Sequence, residues 1–367
     1  MSNRDAPHTL IVSHYREARR ILLDRLTFSS ARPLTTSADS LGYSFVLFCQ
    51  DPPEHSRLRA LIQKDFISSR LENLRGWIAQ EVDSVLSGYP AAGVDIEIDI
   101  DSDVGIDIVQ TLTLPIPMRV INRLLGVADS ASHEFKRWTE QAVGHGEGPA
   151  LLGRKAFVEL HKFFRCQIRT KRQQPADDVI GHLLALGVDE LELLNFCVTL
   201  MIAGNETTAS LLGNLLHLLS TRPALWTALR EDRSLIGSVI EETLRFDPPI
   251  QFISRRVTKP VVVDGTALCS GDTVLIDIGA ANRDPVLFAE PEEFNPARRE
   301  KGHLAFSHGI HYCVGAGLTR LEAEIMLDRM LDRSASIARA APGERYPNEY
   351  FRGFRSLRLL LIMELLQ

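Results

Sequence analysis

Phe306-Ser307-His308-Gly309-Ile310-His311-Tyr312-Cys313-Val314-Gly315-Ala316-Gly317-Leu318-Thr319-Arg320 reads F-x-x-G-x-H-x-C-x-G-x-x-L-x-R. Gly309 and Gly315 flank Cys313, so the backbone can turn tightly and come close to a planar group. Basic or neutral residues surround the sulfur along the chain, with no acid before Glu322, which favours a thiolate. The run 318–330 has helical periodicity. Cys313 is thereby expected near a helix N-terminus, where free amides and the helix dipole stabilise negative sulfur. The pattern suits a single thiolate held against a large flat cofactor. Two plainer readings of the same residues stand beside it. One is a buried, inert thiol, the common fate of a free cysteine. The other is a zinc site built from His303, His308, His311 and Cys313, which leaves Phe306, Gly309, Gly315 and Arg320 without a role.

Outward from this segment, the 367 residues are 45% hydrophobic, enough for a large core. Charge is nearly balanced, Lys+Arg 41 against Asp+Glu 47, without the basic excess of a nucleic-acid protein. The cysteines at 49, 166, 197, 269 and 313 are odd in number and widely spaced, so a disulfide scaffold is not expected and a reducing compartment is. The N-terminus carries no apolar run long enough for a signal peptide, and the apolar stretch 193–204 is too short to span a bilayer. A cytoplasmic protein with no membrane attachment is expected. Helical periodicity covers 15–25, 55–83, 118–126, 150–172, 177–186, 189–220, 223–245 and 318–334. Strand-like runs are few, at 8–12, 260–263, 273–278 and 356–364. The reading is mainly α with a minor β-sheet region, organised as one domain over 1–367.

Three further constellations stand out. Ala203-Gly204-Asn205-Glu206-Thr207-Thr208 interrupts an apolar helical run, and threonine hydroxyls can bond back one turn and open such a helix locally. A polar group in an apolar helix is costly unless satisfied or used; a solvent-facing polar stripe is the plainer reading. Glu242-Thr243-Leu244-Arg245 is an i, i+3 acid–base pair, by itself a surface ion pair. In Asp51-Pro52-Pro53-Glu54-His55-Ser56-Arg57-Leu58-Arg59, His55 and Arg59 share a helix face, which in isolation is usually solvated.

Taken together, in this order, these segments resemble the cytochrome P450 family, the haem-thiolate monooxygenases, in its soluble bacterial form. The resemblance extends over nearly the whole chain. It implies the P450 fold and haem b (iron protoporphyrin IX) as cofactor, with Cys313 as the axial iron ligand and Phe306 and Gly315 against the macrocycle. It gives His55, Arg59, His311 and Arg255 as partners of the haem propionates; counting back from Gly265 favours Arg255 over Arg256. Glu206 and Thr207 match the family's acid–alcohol pair, which handles protons for dioxygen reduction. Glu242, Arg245 and Arg298 match a structural Glu–Arg–Arg cluster.

The implied function is insertion of one oxygen atom from O2 into a C–H bond or double bond of a medium-sized organic substrate, such as a secondary-metabolite intermediate. Oxidative cross-linking without oxygen insertion and non-catalytic haem binding are the alternatives. The chain has no dinucleotide, flavin or iron–sulfur motif. Electrons are therefore expected from a ferredoxin and ferredoxin reductase. Pocket-lining candidates by family position are 33–48, Met201, Ile202, Gln251, Phe252, Ile253, Tyr350 and Phe351. Ser307 departs from the usual Gly, and the start and the connection 183–190 are short for the family, which leaves two readings: a misassigned start, or a trimmed sheet edge and a more open substrate mouth.

Overall fold

The structure, a computed structural model, describes residues 7–31, 47–89, 105–128, 132–142 and 151–363. Its axis is the helix Glu190–Ser220, with Leu211, Leu212, Leu215 and Leu216 fully buried. A helix apolar on all sides belongs inside a core. Asp189 starts it, its carboxylate accepting from the amides of Leu191 and Glu192 at 3.0 and 3.5 Å, and Glu190 and Glu192 in the first turn complement the helix dipole. Helices Pro115–Leu125 and Leu151–Gln173 pack on its first half, and Ile236–Phe246 and Ala316–Arg333 on the remainder. The approach of Pro115–Leu125 is close: a Cβ at Gly204 would lie 3.1 Å from Ile121 Cδ1.

A four-stranded mixed sheet runs Thr9–Val12, Thr273–Asp277, Phe252–Val257, Phe28–Ser29. Thr9–Val12 is its edge, pairing parallel with Thr273–Asp277, and Arg255 sits opposite Val274 in the antiparallel pair at the centre. A second sheet orders Ile106–Asp107, Arg358–Met363 and Ser334–Arg339. The mainly α expectation with a minor sheet holds.

Several expected boundaries are corrected. The run 55–83 is not one helix but Glu54–Ile62, a 3-10 turn Gln63–Phe66, then Ser68–Glu72 and Arg75–Ser87. The buried Asp65, bonded to His182 Nδ1 at 2.8 Å and Arg70 Nη1 at 2.9 Å, fixes this turn. The run 223–245 divides at Asp232, whose carboxylate caps Ser234. The strands Phe252–Val257 and Ser334–Arg339 and the helix Ser132–Ala142 were not expected from the sequence.

Candidate cofactor and active site

Cys313 is held by its own amide, which donates to Phe306 O at 2.9 Å. The helix behind it runs Ala316–Arg333 with Gly315 at its N-cap, so the sulfur precedes the first turn. Burial pushes the Cys313 thiol up; the amides of Gly315 and Ala316 and the guanidinium groups of Arg59 and Arg320 pull the other way without prevailing. The thiolate expected from the sequence is that of a metal-bound sulfur, whose proton a bound metal would displace. Glu322, the first acid after the sulfur, is buried and its carboxyl is raised well above the usual range by desolvation.

The loop carries its departure visibly. Ser307 has φ 62, in the left-handed region where glycine is the easy occupant, and its buried hydroxyl has no partner among the described residues. Gly309 is also left-handed, and a Cβ there would lie 3.0 Å from Leu22 O. Phe306 is covered by the Arg320 guanidinium, 4.5 Å from its ring centroid. Arg320 in turn bonds Glu241 at 2.7 and 3.1 Å, and His303 Nε2 lies 3.2 Å from the same carboxylate. Burial pushes Glu241 up, but His303 and Arg320 outweigh it and hold the carboxyl down at about 2. With His303 engaged there, the zinc reading loses a ligand, and among the described residues no group of three or more His, Cys, Asp or Glu is arranged for a metal.

Beside Glu241, Glu242 is 5% exposed and pairs with Arg245 through two bonds of 2.8 Å. Arg298 Nε reaches the same carboxylate at 3.4 Å. The remaining guanidinium donors of Arg245 and Arg298 go to backbone oxygens of Asn282, Ala289, Glu290, Pro291 and Glu293. This closed network is the expected structural cluster. Glu241 was missed, although its place one residue before Glu242 was a usable signal.

His55, Arg59, Arg255 and His311, drawn from two helical segments and a strand, form a second cluster of opposite character. The His55 and His311 rings lie 4.3 Å apart. His55 is 2% exposed, yet among the described residues neither ring nitrogen has a hydrogen-bond partner, and the buried His311 Nε2 has none either. Burial, then neighbouring Arg255, lowers His311 to about 3; burial also lowers His55. Arg255 is 7% exposed, brought down to about 10 by burial, and its guanidinium donates to Ser254 O at 2.9 Å. Arg59, electrostatically coupled to Cys313, makes no side-chain hydrogen bond among the described residues. Buried donors of this kind are normally satisfied. A group bearing two carboxylates next to a thiol fits them, as iron porphyrin would.

On the central helix, Glu206 is 2% exposed and accepts from Thr139 Oγ1 at 2.7 Å, with Asn205 Nδ2 at 3.4 Å. Thr207 Oγ1 donates to Ala203 O at 2.6 Å, leaving its lone pairs available as acceptors. The back-bond was expected, but the helix is unbroken through it, so the expected local opening is corrected. Thr208 and Thr319 hydroxyls meet at 3.3 Å, joining the central helix to the one behind Cys313; nothing in the sequence pointed to this. Of the pocket candidates, 33–46 lie outside the described residues. Gln251, Phe252 and Phe351 line one cavity.

A sequence profile described as Cytochrome P450 matches residues 155–334. Cytochrome P450 monooxygenase PikC of Streptomyces venezuelae is 35% identical over 95% of this chain and 84% of its own length. Cyclomarin C epoxidase CymV of Salinispora arenicola is 34% identical, covering 85% and 80%. The crystal structure of CYP109E1 from Bacillus megaterium in complex with testosterone superposes with TM-score 0.85 at 32% identity, over 95% of this chain and 91% of that one. Fold, motif order and relatives agree: the chain belongs to the cytochrome P450 family and is an enzyme of its monooxygenase class.

Proposed function

We propose that the chain, acting as one domain, would hold haem b through the Cys313 sulfur, with His55, Arg59, Arg255 and His311 pairing with its propionates and Phe306 and Gly315 packing against it. So held, haem supplies dioxygen activation: two electrons, two protons and O2 give water and one oxygen atom inserted into a C–H bond or double bond of a medium-sized organic substrate. The observation that carries this reading is the set of buried, acceptor-less donors on His55 and His311 beside Cys313. Glu206 is held by Thr139 and hands on protons, and Thr207, its own hydrogen committed to Ala203, orients the water that brings them. Electrons come from a ferredoxin and its reductase. The free cysteines support a cytoplasmic setting.

The test is optical. The purified protein is reduced and exposed to carbon monoxide. A red-shifted Soret band of the thiolate type is expected, lost in Cys313→Ser. A protein that stays colourless after hemin is supplied, or shows an imidazole-ligated spectrum, sinks the proposal.

A further inference from the structure

The described residues enclose a cavity of ≈ 430 Å³ between the start of the strand Phe252–Val257 and the segment 345–353. Phe252 and Phe351 give it apolar walls, and Arg345, Tyr346 and Arg352 give it polar ones. Tyr346 donates to Glu140 at 3.2 Å, and Gly353, which also lines the cavity, packs so closely on Ser210 of the central helix that a Cβ there would clash with its hydroxyl.

Its charge arrangement is uneven. Asp247 is 4% exposed and serves two guanidinium groups, Arg345 Nη2 on one oxygen at 2.7 Å and Arg352 Nε on the other. Arg345 also donates to Asn214 Oδ1 at 3.1 Å, so both of its terminal nitrogens are engaged. Asn214 Nδ2 holds the backbone oxygens of Asp247 and Arg352 at 2.9 Å, which pins the wall to the central helix. Arg352 is different: its side chain is 46% exposed, and its two terminal nitrogens have no acceptor among the described residues. Asp247 engages only the Nε of Arg352, so the terminal nitrogens are presented as a planar pair of donors, the geometry that takes a carboxylate side on. Glu349 lines the same cavity, is exposed, and pairs with neither arginine.

We infer that this cavity is the part of the substrate site that selects a carboxylate-bearing amphiphile, with the apolar body between Phe252 and Phe351 and the carboxylate on the terminal nitrogens of Arg352. The inference rests on the monooxygenase reading and names its substrate class; Glu349 works against anion binding.

The holoenzyme is titrated at pH 7.5 with three probes of equal chain length, each below its micellar concentration: dodecanoate, dodecan-1-ol and dodecyltrimethylammonium. Soret shift and calorimetry are the readouts. Dodecanoate is expected to bind about tenfold more tightly than the alcohol, the scale of a charge-assisted hydrogen bond, with the ammonium weakest. Arg352→Gln removes the preference, Arg352→Lys keeps part of it, and Glu349→Gln strengthens it. Equal affinities for the three probes, or a carboxylate preference unmoved by Arg352→Gln, overturns the inference. Should Arg352→Gln not fold, the opposite shifts in Arg352→Lys and Glu349→Gln decide. The carbon monoxide spectrum of the same samples separates the two levels: a thiolate band without carboxylate selection defeats only this inference, and absence of the band defeats the functional reading.

Discussion

Two buried charge clusters meet the Cys313 segment, and they differ in completeness. Around Glu241 and Glu242, the carboxylates are matched by Arg245, Arg298, Arg320 and His303, and the spare guanidinium donors end on backbone oxygens. Around His55 and His311, buried ring nitrogens have no hydrogen-bond partner among the described residues. Burying a charge or a donor costs several kcal/mol unless a partner compensates. A fold keeps the first kind of cluster for its architecture. It retains the second only where something else completes it. Both clusters use arginine and histidine, but only the first contains the acids that satisfy them.

The largest effect is expected in the closed cluster. Arg245→Met strands the Glu242 carboxylate in the core and destabilises the fold by about 3–5 kcal/mol, whether or not haem is present. Urea unfolding of both forms checks this; a loss confined to the haem-bound form breaks the distinction. In the open cluster the sign reverses. Arg255→Met removes a buried cation, so the haem-free chain gains on the order of 1 kcal/mol, while haem retention falls about tenfold or more for the loss of a charge-assisted bond. Haem transfer to an acceptor protein and thermal melts of the haem-free chain measure the two separately. If both fall, Arg255 is scaffold after all.

A third test uses acid. His303 and Arg320 hold Glu241 at about 2 against an ordinary 4.5. A lowered carboxyl stabilises the fold in full above pH about 4.5 and loses that contribution as pH falls toward 2. Glu241→Gln is expected to reduce the acid-limb slope of stability by up to about one proton; an unchanged slope contradicts the assigned pairing. The smallest effect belongs to the loop. Ser307→Gly relieves a left-handed serine and deletes an unpartnered buried hydroxyl, offset by the backbone freedom of glycine, for a net gain of about 0.5–1 kcal/mol. Differential scanning calorimetry would show a rise of about 1–2 °C; a fall means that the serine hydroxyl finds a partner in solution.

Much of this was readable in the chain. The spacing around Cys313, the acid–alcohol step at Glu206 and Thr207, and Glu242 with Arg245 are short-range patterns, and each lies in the element expected for it. What stayed hidden depends on distance along the chain. Glu241 finds His303 and Arg320 across 62 and 79 residues, and Thr139 finds Glu206 across 67. No local pattern encodes such pairings. The strand Phe252–Val257 was obscured because FISRRV turns a buried Arg255 inward where alternation predicts an apolar residue. A binding site breaks the pattern that otherwise reveals a strand. The break after Ile62 is likewise set by Asp65 reaching His182, 117 residues away.

The Thr208–Thr319 contact has a mechanical corollary. It bridges 111 residues of chain with one pair of hydroxyl oxygens, 3.3 Å apart. A well-formed hydroxyl pair sits near about 2.8 Å, so the strut has roughly half an ångström of slack. Being longer than a well-formed pair, it is a weak tie between the helix Ala316–Arg333 and the central helix within one turn of Glu206.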